Sequence, residues 1–72
     1  MQRYTKKSEV QIGHRVMFDN NSNFIIEFPN INIIGDVKEI SKEENVDDII
    51  IGVFRQGIDH EILLTVPYYT LQ

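Results

Sequence analysis

Residues 49–72 read IIIGVFRQGIDHEILLTVPYYTLQ, and few folds can accommodate that order. Ile49 to Phe54 is a continuous apolar run, as expected of a strand buried on both faces. Arg55-Gln56-Gly57-Ile58-Asp59 supplies turn residues. From His60 to Val66 the chain alternates, with Ile62, Leu64 and Val66 on one face and Glu61, Leu63 and Thr65 on the other. Pro67 has no amide hydrogen for a ladder and stops the second strand. The segment predicts a β-hairpin, a tight turn at Pro67-Tyr68-Tyr69, and a last short extended piece.

Composition agrees with that reading. Hydrophobic residues make up 42% of the 72 residues, isoleucine is abundant, and alanine, the strongest helix former, is absent. A domain this short must bury most of its large apolar side chains to fold alone. With no cysteine, disulfides, thiolate metal sites and a cysteine nucleophile are all excluded. A staple-free chain of this size is expected in the cytoplasm. The opening MQRYTKKSEVQIGHR has no apolar signal region, and the apolar stretches near 24–34 and 49–66 are too interrupted to cross a bilayer.

Upstream, Val10, Ile12, His14, Val16 and Phe18 recur with period two, which predicts a first strand over residues 10–18 with that set facing inward. Residues 1–9 read as a mobile basic arm preceding a single domain at 10–72. Asp19-Asn20-Asn21-Ser22-Asn23 is a turn. Phe24, Ile26 and Phe28 share one side of a segment stopped by Pro29, either an edge strand or part of a long loop. Residues 31–40 form the next extended piece, where Gly35 suggests a bulge or bend. Ser41 and Glu44 have capping-box spacing, so residues 41–48 are either a single helical turn or an exposed acidic loop.

This order of elements resembles the Src-homology-3-like class of small β-barrels, including its KOW and tudor-like members. The resemblance rests on Gly13 to Val16 as a G-x-x-V strand and on Gly35 to Ile40 as a second G-x-V-x-x-I strand. The hairpin, the Pro67-Tyr68-Tyr69 turn and the short tail complete it. It implies an all-β fold, a single five-stranded barrel with a long hairpin-like first loop at 19–32. The peptide-binding members carry an ALYDY-type motif and a tryptophan, and this chain has neither.

Nothing in the sequence predicts catalysis or a cofactor. Ser8, Ser22 and Ser41 have no nucleophile elbow beside them, and the four glycines are scattered rather than gathered into a phosphate loop. Asp59-His60-Glu61 cannot converge on a metal, because neighbours in a strand face opposite ways. A zinc site would need His14, His60 and a carboxylate to meet across the barrel, and no metal is expected.

Charge is uneven. In residues 1–18, four cations oppose one carboxylate for a net +3; in residues 19–72, three cations oppose ten carboxylates for −7. The acidic body argues against general binding to a phosphate backbone. The expected function is a small non-catalytic module that binds a protein partner. Its rim would be Tyr68 and Tyr69, the 19–32 loop, and Glu43, Glu44, Asp47 and Asp48. Abundant isoleucine and asparagine fit an AT-rich bacterial or phage genome. One alternative is an acidic inhibitor from a mobile element that blocks a host nucleic-acid enzyme. Another is weak nucleic-acid binding through Arg3, Lys6, Lys7 and Arg15, with Tyr4 for stacking. The apolar run at 24–34 would favour a homodimer if left uncovered.

Overall fold

A computed structural model describes residues 3–20 and 32–72. Among these residues the fold is all-β, a four-stranded antiparallel sheet in the order β1-β2-β3-β4, with two single 3-10 turns and no α-helix. The strands are β1 (Arg15–Phe18), β2 (Ile33–Ile40), β3 (Asp48–Val53) and β4 (Ile62–Pro67). The 3-10 turns are Lys7–Glu9 and Tyr68–Thr70.

The hairpin forms where the alternation predicts it. β3 and β4 pair without a break from Asp48 opposite Pro67 to Val53 opposite Ile62. Their connection contains a turn closed by the Ile58 amide donating to the Arg55 carbonyl at 3.0 Å, and Gly57 supplies its positive φ of 87°. β3 lies inside the sheet, and Ile49, Ile51, Gly52 and Val53 are buried. Phe54, read as the end of the buried run, lies just past the strand and is 71% exposed.

One face of the sheet closes over a core of Val16, Phe18, Val37, Ile49, Ile51, Val66 and Leu71, each at most 2% exposed. Full burial of such a side chain contributes about 1.5–3 kcal/mol. Val10, Ile33 and Val53 complete this core, with Tyr4, Ile40, Ile62, Leu64 and Tyr68 packed against it.

Four expectations need correction. Among the described residues there is no five-stranded closed barrel: they build four strands in one open sheet. After the second 3-10 turn, the tail returns to β1 through one bridge, Phe18 opposite Leu71. Reciprocal bonds between Met17 and Gln72, at 3.0 and 2.9 Å, hold that bridge.

The first strand is four residues long rather than nine. Gln11 to His14 form a turn, with the His14 amide donating to the Gln11 carbonyl at 3.1 Å and Gly13 at φ 90°. The turn breaks the alternation, so Ile12 is 67% exposed and His14 is exposed, while Val10 returns to the core.

The bulge in β2 falls at Lys38, not at Gly35. Val37 stands opposite Ile51 and Glu39 opposite Ile50, leaving Lys38 as the extra residue. Gly35 instead permits close approach, since a Cβ there would lie 2.7 Å from the Gly52 carbonyl oxygen.

Residues 3–9, expected to be mobile, lie against the sheet. The Tyr4 amide donates to the Leu71 carbonyl at 3.0 Å, Tyr4 packs on the core, and Arg3 pairs with Asp19. The proposed strand at 24–28 and most of the 19–32 loop lie outside the described residues. Asn20, at the start of that loop, is fully buried.

Candidate functional site

The acidic segment is a loop rather than a helical turn. The Ser41 hydroxyl accepts from the Glu43 amide at 3.3 Å, two residues on, where a capping box would require Glu44. The Val46 amide donates to the Glu43 carbonyl at 3.1 Å, and the Ser41 amide donates to the Asp48 carbonyl at 3.1 Å. The loop is thus folded by its own backbone, and Glu43, Glu44, Asp47 and Asp48 are all exposed.

A contact from the N-terminal segment adds to this. The Lys7 ammonium donates to the carbonyls of Glu43 and Val46, at 2.6 Å each. Lys7 therefore holds the loop by its backbone and leaves the carboxylates facing water. Glu9 fixes the 3-10 turn that carries Lys7, because one of its carboxylate oxygens accepts from the Thr5 amide, the Thr5 hydroxyl and the Lys6 amide at 3.0–3.1 Å. Bonds from the Thr5 and Lys6 amides, then the Thr5 hydroxyl, hold the Glu9 carboxyl below the usual carboxylate range.

The tyrosine turn adjoins the loop. Asp48 stands opposite Pro67, and the Tyr68 amide donates to the Asp47 carbonyl at 2.9 Å. The Thr70 hydroxyl donates to the Pro67 carbonyl at 2.6 Å and tightens the turn. Tyr68 packs on the core while Tyr69 stays 50% exposed, their rings edge-to-face at 5.5 Å and 83°. Glu43, Glu44, Asp47, Asp48, Tyr68 and Tyr69, scattered over 27 positions of sequence, thus meet at one end of the β3–β4 hairpin. Asp48 also helps to line an open groove, together with Ile12, Ile40, Ile50 and Thr65 and the polar side chains of Lys38, Glu39, Ser41 and Lys42.

The residues of the nucleic-acid alternative are differently disposed. Arg3 faces Asp19, Arg15 faces Asp36 at 3.2 Å, and Lys7 is engaged with the loop carbonyls. Tyr4 is half-buried against the core rather than presented for stacking. Lys6 is exposed.

On the outer face, Lys38 and Glu61 form an ion pair at 3.0 Å that passes over Gly52. Neither this pair nor the Lys7 contact has a sequence signature, since both join residues that only the folded sheet brings together. His14 and His60 are both exposed, and His60 meets Asp59 at 3.3 Å. Among the described residues no group of three or more histidines and carboxylates could hold a metal ion. No helix among them is long and apolar enough to cross a membrane. Comparison with protein-family models, with curated proteins and with solved structures found no match to this chain.

Proposed function

We propose that this chain is a small non-catalytic interaction module whose partner is a protein with a basic, partly apolar surface. The observation that carries the reading is the hydrogen bond from Tyr68 to Asp47. It joins the acidic loop to the tyrosine turn, so that four outward carboxylates and the exposed ring of Tyr69 form one rim. Tyrosine adds contact area at low rotamer cost, and the carboxylates steer a cationic partner. The groove that Asp48 helps to line offers apolar contact from Ile12, Ile40 and Ile50. A basic nucleic-acid enzyme would be one such partner, which is the inhibitor reading in its structural form. Direct nucleic-acid binding is disfavoured by the engagement of Arg3, Arg15 and Lys7.

The test is site-specific photo-crosslinking in bacterial lysate, with the photoreactive residue at position 69 and, as control, at position 58 in the β3–β4 turn. The expected result is a discrete adduct at 69 that excess unmodified protein competes away and that Glu43→Lys with Asp47→Lys removes. Equal capture from both positions, or capture indifferent to charge reversal, would overturn the proposal.

A further inference from the structure

We infer that Lys7 is a positioning residue for the rim, the latch of a strap at residues 4–9 that closes the acidic loop and the tyrosine turn into one cooperative unit. The inference rests on the rim being the binding surface, and it adds how that surface is assembled and released.

Hydrogen bonds run in a closed circuit through three segments distant in sequence. The Tyr4 amide donates to the Leu71 carbonyl at 3.0 Å, the Leu71 amide to the Tyr68 carbonyl at 3.1 Å, and the Tyr68 amide to the Asp47 carbonyl at 2.9 Å. Beside Asp47, the Val46 carbonyl accepts from the Lys7 ammonium at 2.6 Å. The Glu9 carboxylate completes the circuit between Tyr4 and Lys7, accepting from the Thr5 amide at 3.1 Å and the Lys6 amide at 3.0 Å.

The link at Lys7 differs from the backbone links. One side chain forks onto two carbonyls, Glu43 and Val46, and hydrogen bonds from an ionised donor are the stronger kind. It also brings positive charge to a loop that carries four carboxylates. Residues 42–45, 47 and 48 are exposed, so few buried contacts hold the loop, and such segments open locally. In a closed circuit, opening one link loosens the next. With the latch open, the carboxylates and the Tyr69 ring lose their fixed spacing. A partner must then order the rim as it binds, and apparent affinity falls with the assembled fraction.

Amide hydrogen exchange of the full chain, read by nuclear magnetic resonance, tests the strap without a partner. The probes are Val46 in the loop and Tyr68, which touches neither Lys7 nor the strap. The reference is Val37, whose amide donates to the His14 carbonyl in the sheet. Lys7→Met is expected to speed exchange at both probes about tenfold relative to Val37, and Lys7→Arg to stay near the parent. Glu9→Ala, which leaves Lys7 in place, is expected to speed both about threefold. Acceleration at Val46 without Tyr68 overturns the inference, as does an equal rise at all three amides or Lys7→Arg behaving as Lys7→Met. Photo-crosslinking from position 69 in lysate then tests the consequence for binding: Lys7→Met is expected to reduce the adduct at least to about half. An undiminished adduct with accelerated exchange overturns the positioning role. No adduct from the parent chain refutes the rim as a binding surface, while exchange still decides the strap.

Discussion

Gly35 and Gly52 stand on neighbouring strands, and an added methyl group would meet different kinds of obstacle at the two positions. At Gly35 the nearest atoms are the Gly52 carbonyl oxygen at 2.7 Å and a Val53 methyl at 3.0 Å, one belonging to the backbone of β3 and the other to a buried core residue. At Gly52 they are the Glu61 carboxyl at 2.5 Å and the Lys38 Cε at 2.7 Å, the far ends of two flexible side chains. Neither glycine has a positive φ, so alanine is compatible with the backbone at both. Replacing a strand glycine by alanine gains about 0.5–1 kcal/mol from the unfolded chain. At Gly35 this is outweighed by overpacking of about 1–3 kcal/mol, for a net loss of about 1–2 kcal/mol. At Gly52 the alanine displaces an ion pair with both members partly exposed, worth about 0.2–1 kcal/mol, and the net change is close to zero. Urea unfolding followed by far-ultraviolet circular dichroism reads the difference. With a slope of about 1 kcal/mol per molar, Gly35→Ala should lower the midpoint by about 1–2 M and Gly52→Ala by less than about 0.5 M. Midpoints that fall together, or a Gly35→Ala protein as stable as the parent, would refute the argument from close approach.

Three further outcomes are expected. Leu71→Ala should cost about 2–5 kcal/mol in the same assay, because Leu71 is fully buried, whereas Phe54→Ser should stay within about 0.5 kcal/mol. Lys7→Met should speed amide exchange at Glu43 and Val46, with Lys7→Arg closer to the parent; unchanged exchange would mean that Lys7 does not restrain the loop. Glu9 has a lowered pKa in the folded chain, so its contribution is present above the ordinary carboxylate range and disappears as pH falls through the folded value. Glu9→Gln should therefore flatten the acid limb of the stability profile below about pH 4, a region reached by titrating the thermal midpoint.

Local pattern made β3 and β4 legible, because Ile62, Leu64 and Val66 alternate without interruption and Gly57 marks the turn between them. The same rule failed at Ile12 and His14. One positive-φ glycine between them turned an unbroken alternation into a turn plus a short strand. Phe54 failed for a related reason, since hydrophobicity continued one residue past the end of the ladder. The bulge at Lys38 has no local signature because it depends on the register of the neighbouring strand. The rim residues could be named singly from exposure and residue type. That they adjoin follows only from the pairing of Asp48 with Pro67, and that Lys7 restrains them follows only from where residues 3–9 lie.

The bond from Tyr4 to Leu71, with the bridge from Phe18 to Leu71 beside it, sets a condition on biosynthesis. These contacts join the two extremes of the described chain, giving the fold a late, long-range closing step and a high contact order. On the ribosome the β3–β4 hairpin can form while the chain is still growing, but the core lacks Leu71 until that residue has been added and has left the exit tunnel. Until then the core side chains that Leu71 covers are incompletely packed, the kind of exposure that recruits chaperones or promotes association. Packing around one of the first core side chains is in that sense completed by a residue far downstream of it in the chain.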